Sequence, residues 1–160
     1  MGIIGITSDS RKVKPGYIYV AIKGGKFNGE DFVKNAIENG AVEVVVSNDF
    51  SPSVEIENVK LTKVENARKH HSVLASKLYT KQPQNIVAVT GTNGKTSTAF
   101  FFKQICEYFN YKAASIGTLG VIADDVDNTA EDVLTSPETI ELHQILETLV
   151  SKGVTHAAIE

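Results

Sequence analysis

The residue types and spacing of Val89-Thr90-Gly91-Thr92-Asn93-Gly94-Lys95-Thr96-Ser97 suit one task, the holding of a phosphate chain. Glycines let the main chain turn sharply and aim successive N–H groups inward, which makes a concave nest for phosphate oxygens. A helix that begins near Lys95 adds the positive end of its dipole at the same place. Lys95 can then reach the β- and γ-phosphates, and the Thr96 hydroxyl is a ligand for Mg2+. The strict phosphate-loop pattern has glycine where this chain has Val89. The plainer reading, a Gly-rich turn that caps a helix without a ligand, gives the Lys95-Thr96 pair no role. The expected ligands are a nucleotide's phosphate chain and Mg2+, with Gly91, Thr92, Asn93, Gly94, Lys95, Thr96 and Ser97 around the phosphates and Thr96 on the metal.

Other reactive residue types read as structural. Cys106 falls on an apolar helix face with Phe102, Ile105 and Phe109, so it is expected in a core and not as a nucleophile. His70 and His71 follow Arg68 and Lys69 on a helix, which reads as a solvated face. His143 and His156 have no partners at metal-ligand spacing, so no zinc site is expected. Phe100, Phe101 and Phe102 read as packing.

The phosphate loop needs a strand before it and a helix after it, and the chain supplies both. Ile86-Val87-Ala88-Val89 reads as a buried apolar strand, and the helix after the loop runs to about Phe109. Residues 113–116 read as a strand. Ser136-Pro137 reads as a helix start, with Ser136 as N-cap and Pro137 in the first turn. That helix buries Ile145, Leu146, Leu149 and Val150, ends at Gly153, and leads to a strand over 154–159. Ahead of the loop, strands are expected over 17–22, 41–46 and 59–64, and helices over 31–39, which ends at Gly40, and 66–79. Lys81-Gln82-Pro83-Gln84 reads as a linker. Strands alternating with helices imply an α/β fold with parallel βαβ units. Two domains are expected, over residues 1–80 and 81–160. The second holds only about three strands, whereas doubly wound sheets use about five or more, so the chain is expected to be part of a longer one.

Composition excludes several classes. The 160 residues are 42% hydrophobic and 22% charged, an ordinary globular balance and not that of a disordered tail. No apolar run approaches the roughly 18 residues of a membrane span, and residues 1–5 do not form a secretory signal. A single cysteine allows no internal disulfide, which fits a reducing cytoplasm. A net charge of −3, with no Lys/Arg cluster, argues against a duplex nucleic-acid binder. A cytoplasmic monomer is expected.

Gly91-Thr92-Asn93-Gly94-Lys95-Thr96 resembles the ATP-binding turn shared by the Mur ligases, cyanophycin synthetases and folylpolyglutamate synthetases. The last of these usually have a further glycine where this chain has Thr96, and little chain ahead of the turn. The preceding domain narrows the resemblance. Asp9-Ser10-Arg11, residues 13–22, Gly24, Phe27-Asn28-Gly29 and Asp31-Phe32 together resemble the N-terminal domain of E- and F-type Mur ligases. Ile116-Gly117-Thr118-Leu119-Gly120, Thr135-Ser136-Pro137-Glu138 and Thr155-His156-Ala157-Ala158-Ile159-Glu160 are closer to the E type. That type adds a diamino acid, meso-diaminopimelate or L-lysine, to UDP-N-acetylmuramoyl-L-alanyl-D-glutamate.

The resemblance implies roles for individual residues. Ser10 and Ser8 match positions that contact the nucleotide of the UDP substrate. Lys26, Phe27 and Asn28 match the loop over uracil and diphosphate, although many relatives carry His where this chain has Gly25 and Asp where it has Asn28. From its residues alone, Asp9-Ser10-Arg11 reads as a local turn. Thr135 and Ser136 match a Thr-Thr pair near the muramoyl dipeptide, and Glu160 matches a glutamate that binds Mg2+. The implied fold is a small UDP-binding α/β domain followed by the first part of a P-loop ATPase-like parallel-sheet domain. The implied reaction is amide formation through an acyl phosphate, with ATP and Mg2+ as cofactors and Lys95 as the catalytic cation on the γ-phosphate, and the chain alone is expected to be inactive. Two rivals are an F-type ligase, which adds D-alanyl-D-alanine, and a non-catalytic P-loop module.

Overall fold

The computed structural model describes residues 4–25, 27–52, 56, 58–124 and 137–160. The chain divides into two compact units, Met1–Leu78 and Tyr79–Glu160.

In the first unit four parallel strands lie side by side in chain order: β1 (Gly5–Thr7), β2 (Tyr17–Val20), β3 (Glu43–Ser47) and β4 (Lys60–Val64). The β-branched run of β3 is what a sheet covered on both faces requires, and Val44, Val45 and Val46 are all fully buried. Helix α1 (Val33–Glu38) sends Val33 and Ala36 into a core with Tyr19, Ala21, Val44 and Val46. It is shorter than the sequence suggests, because residues 29–32 form a tighter 3-10 turn capped by the Asn28 side chain. Helix α2 (Ala67–Leu78) packs against β1, β2 and β3. His71 is buried, not solvated as expected. The spacing Ala67, His71, Ala75 is i, i+4, i+8, one face of a helix, and that face turns inward. Strand β1 is not anticipated by the sequence, since three residues beginning with a glycine carry too short a pattern to register.

The second unit has β5 (Asn85–Ala88), β6 (Ala113–Gly117), β7 (Gly120–Ala123) and β8 (His156–Ile159) in the spatial order β5-β8-β6-β7. Strand β8 is parallel to both neighbours. Strand β7 returns antiparallel to β6 through Thr118 and Leu119, so the sheet is not purely parallel. Gly120, at φ +85°, supplies the left-handed residue that closes this tight hairpin, and the turn lies inside the motif that the resemblance uses.

Helix α3 (Lys95–Tyr108) packs on β6 and β8, with Ala99, Lys103 and Cys106 buried. Only part of its expected apolar face is covered. Ile105 and Phe109 are 58% and 61% exposed, because the inward face runs through the small Ala99 and not through them. Strand β5 is likewise exposed at every residue, where a buried strand is expected. Among the described residues it is an edge strand that pairs with β8 alone.

Helix α4 (Thr139–Ser151) starts later than Ser136-Pro137 implies, with Glu138 in the N-cap position and its carbonyl accepting from Leu142 N–H at 2.8 Å. Ser136 lies outside the described residues. At the other end, Gly153 adopts φ +85°. Its N–H bonds Val150 O at 2.9 Å and the Val154 N–H bonds Leu149 O at 3.0 Å, a Schellman closure. Glycine tolerates that left-handed turn, and the turn feeds the chain into β8. Threading β8 between β5 and β6 sets its C-terminal end beside the strand ends that lead into residues 89–94 and into the β6–β7 turn.

Candidate functional site

Residues 89–94 join the end of β5 to the start of α3. The Val89 N–H bonds Ile159 O at 2.7 Å, which pins the loop's entry to the central strand. Gly94 occupies the N-cap of α3 at φ +76°, a conformation that an L side chain rarely adopts. No side chain caps this end of the helix, so its first N–H groups are not met by a cap residue, as an anion site requires. Thr98 donates its hydroxyl to Gly94 O at 2.8 Å and fixes the first turn. Lys95 folds back over the loop, its Nζ donating to Gly91 O at 2.9 Å. Gly91, Thr92, Asn93, Gly94 and Ser97 are exposed, while Lys95 and Thr96 are half-buried.

The carboxylate of Glu160 meets this loop. Thr96 Oγ1 donates to Glu160 Oε2 at 2.9 Å. The Thr118 N–H reaches Glu160 Oε1 at 3.3 Å, and Thr118 Oγ1 reaches Oε2 at 3.3 Å. The Glu160 main chain is held too, its N–H donating to Ile116 O at 2.9 Å. The arrangement places a lysine, a hydroxyl and a carboxylate at the C-terminal edge of a largely parallel sheet, where ligands of such sheets bind. A hydroxyl and a carboxylate, hard oxygen donors on one spot beside a phosphate nest, fit Mg2+. The sequence reading names Thr96 and Glu160 as metal ligands but overlooks Thr118 and Gly117. Gly120, a glycine between two short apolar runs and so a candidate turn residue, could have placed both at a strand end.

The first unit holds the other expected residues. Asp9 caps the 3-10 turn Ser10–Lys12. Its carboxylate accepts from Arg11 N at 3.0 Å, Arg11 Nε at 2.9 Å and Arg11 Nη2 at 2.7 Å. The side-chain bonds from Arg11 hold the Asp9 carboxyl below its ordinary value. Ser10 is buried in this turn, with its carbonyl accepting from Asn39 Nδ2 at 2.9 Å, and Ser8 is half-buried. The motif therefore does what the local-turn reading requires, whatever else it does.

Residues 23–25 and 27–29 close on each other through a Lys23–Asn28 bridge and a Gly24 N–H to Phe27 O bond of 2.9 Å. Tyr19 donates its hydroxyl to Gly29 O at 2.8 Å from beneath. Burial pushes its phenol up to about 12, with Asp9 and Asp31 adding to the shift. Lys23 bridges Asp49 at 3.1 Å and Glu30 at 3.5 Å. Burial works to raise the Glu30 carboxyl, but its bonds from Ser47 and the Lys23 charge outweigh this and leave it lowered. At the tip Phe27 is 71% exposed and packs edge-on against Phe32, ring centres 6.4 Å apart. Phe27 and Asn28 thus share one loop with a braced base. Lys26, Thr135 and Ser136 lie outside the described residues.

Among the described residues no three His, Cys, Asp or Glu side chains gather as a metal centre, and no helix is long and apolar enough to cross a membrane. Cys106 is buried in α3, and burial raises its thiol.

Comparison with known proteins bears on both units. Residues 2–79 match the model of the Mur ligase family catalytic domain, and residues 89–160 match the Mur ligase middle domain. The chain is 46% identical over 156 residues to a UDP-N-acetylmuramoyl-L-alanyl-D-glutamate--2,6-diaminopimelate ligase of Agrobacterium fabrum, covering 98% of this chain and 30% of that protein. A ligase of the same name from Brucella melitensis is 42% identical, covering 99% of this chain and 32% of the relative. The chain thus spans about a third of the length of the curated relatives it matches. A solved structure of a ligase with that name superposes over 100% of this chain and 32% of its own, with a TM-score of 0.74 at 23% identity. MurF from Thermotoga maritima, in complex with ADP, superposes over 74% of this chain and 26% of its own, with a TM-score of 0.54 at 24% identity. These superpositions speak to the fold.

Proposed function

Because the chain belongs to the Mur ligase family, we propose that it carries the nucleotide-handling parts of an E-type ligase. Such an enzyme extends UDP-N-acetylmuramoyl-L-alanyl-D-glutamate by a diamino acid at the expense of ATP. The observation that carries this reading is the meeting of Thr96, Glu160 and the Lys95 loop at the ends of β5, β8 and β6. The names of relatives 40–46% identical to the chain favour 2,6-diaminopimelate over lysine, and the E type over the F type. Consumption of ATP and a UDP-linked substrate fits a cytoplasmic location.

In this reading the loop of residues 91–97 receives the triphosphate on its N–H groups and on the N-terminus of α3. Lys95 leaves Gly91 O and neutralises the γ-phosphate. The D-glutamate carboxylate attacks the γ-phosphorus, the bond to the β-phosphate oxygen breaks, and ADP leaves an acyl phosphate. The amine of the incoming amino acid then displaces phosphate and forms the amide. Thr96 and Glu160 would hold Mg2+, which supplies positive charge to the transferring phosphoryl group. The protein's part is positioning and charge stabilisation, with little covalent work of its own. In the first unit, Ser8, Ser10, Lys26, Phe27 and Asn28 would hold the UDP end. Thr135 and Ser136 would lie toward the muramoyl dipeptide.

Titration of the chain with UDP-N-acetylmuramoyl-L-alanyl-D-glutamate and with UDP alone tests the substrate half of the proposal. Saturable binding of both, tighter for the muramoyl dipeptide, is the expected result. A chain that binds ATP but ignores both UDP compounds is a P-loop switch, and that outcome overturns the proposal.

A further inference from the structure

The Glu160 carboxylate is set by the β6–β7 turn as well as by its own strand. We infer that Gly117 and Thr118 are positioning residues that aim this carboxylate at Thr96; the inference rests on the proposed role of Glu160 as a metal ligand.

Three observations carry it. Thr118 gives the carboxylate two donors, its N–H at 3.3 Å from Oε1 and its hydroxyl at 3.3 Å from Oε2. The same Oε2 accepts from Thr96 Oγ1 at 2.9 Å, so Thr118 and Thr96 hold one oxygen from two sides. Gly117 leaves the space in which the carboxylate lies. A methyl group there would overlap Glu160 Oε1, Cδ and Cγ. The glycine is not required by its own backbone, because its φ lies outside the left-handed region. Its lack of a side chain therefore serves the glutamate.

The chemical reason is economy of motion at the metal. A glutamate has three rotatable side-chain bonds, and freezing them when the metal binds weakens the site. A carboxylate already hydrogen-bonded in the binding orientation loses less freedom. Groups that orient metal ligands from the second layer typically change metal affinity by about 10–100-fold. The antiparallel β7 is what makes this possible. A parallel crossover after β6 would carry residues 118 and 119 away from the strand end, whereas the tight turn keeps Thr118 beside β8.

The experiment uses the 160-residue chain with Mn2+ as a paramagnetic probe and ATP as the nucleotide. Electron paramagnetic resonance reads Mn2+ affinity in the presence of ATP, and calorimetry in EDTA reads ATP affinity without metal. Thr118→Val and Gly117→Ala are each expected to weaken Mn2+ binding about tenfold. Metal-free ATP affinity should change less than about twofold in both, and Thr118→Ser should restore the metal site. Glu160→Gln is the reference. Should Glu160→Gln lose Mn2+ while Thr118→Val and Gly117→Ala bind it as the parent does, the positioning role is refuted and the metal-ligand reading stands. Should Glu160→Gln bind Mn2+ as the parent does, the metal-ligand reading is refuted and this inference with it.

Discussion

Alanine at Gly29 and alanine at Gly25 are the same chemical change in one loop, and the structure gives them opposite outcomes. A Cβ on Gly29 would lie 2.6 Å from Ile22 N, 2.8 Å from Ile22 O and 3.0 Å from Ala21 C. These are main-chain atoms that cannot rotate away. Ordinary contact needs about 3.5 Å or more, so the two segments must part by most of an ångström. Such overpacking typically destabilises by about 1–3 kcal/mol. The parting also strains the Gly29 N–H to Ile22 O bond of 3.0 Å and the Tyr19 hydroxyl bond to Gly29 O of 2.8 Å. One such bond adds about 1 kcal/mol, so the expected loss is about 2–4 kcal/mol.

Among the described residues nothing lies within 4 Å of a Cβ on Gly25, and its φ is not left-handed. Alanine there should be neutral, or stabilise by about 0.4–1 kcal/mol through the unfolded chain. Native-state hydrogen exchange reads the first unit by itself, through the Ala21 amide that donates to Val45 O at 2.8 Å. Gly29→Ala should speed that exchange by about thirty- to a thousandfold. Gly25→Ala should leave it unchanged or slower. Equal rates in both variants would refute the steric reasoning, and with it the view that this loop has a braced base.

Two further outcomes follow from charge. The Lys103 ammonium is buried in α3, bonded to Glu107 and 3.7 Å from Asp124. Among the described residues Glu107→Gln leaves that charge only the carboxylate of Asp124 and should cost about 2–3 kcal/mol in urea unfolding, whereas Lys103→Met should be close to neutral. The Asp9 carboxyl is lowered from an ordinary value of 3.8, chiefly by Arg11. Its contribution to stability is present above pH 3.8 and is lost as pH falls through the lowered value, because the unfolded chain takes up the proton first. Unfolding curves between pH 2 and 6 should show a shallower acid loss in Asp9→Asn than in the parent.

Much of the candidate phosphate site is legible in the sequence because its parts are local. Gly91, Gly94, Lys95 and Thr96 sit within six consecutive positions, and the strand and helix around them have their own patterns. Glu160 is different. It lies 64 residues from Thr96, and only the insertion of β8 between β5 and β6 brings the two together. Residue patterns carry no information on strand order, so the family resemblance had to supply that residue. Thr118 was missed for a related reason, since β7 is short and its hairpin was read as a motif and not as a turn. Burial at Ile105, Phe109 and β5 was misjudged because apolar character marks what could be covered, not what covers it. His71 shows the converse: a polar residue on the inward face of α2 is read as solvent-facing when its charged neighbours Arg68 and Lys69 are weighed above its spacing from Ala67 and Ala75.

We assign the phosphates of ATP, with Mg2+, to residues 91–97 and Glu160, and calorimetric titration of the chain with ATP in Mg2+ tests that assignment most directly when Lys95→Ala is run beside the parent. Lys95 makes an exposed bond of 2.9 Å to its own loop, so its loss should leave the melting temperature nearly unchanged. Saturable binding by the parent and an affinity at least about tenfold weaker in the variant are expected from the loss of a charge-assisted phosphate contact. Equal ATP affinity in the two proteins would contradict the assignment.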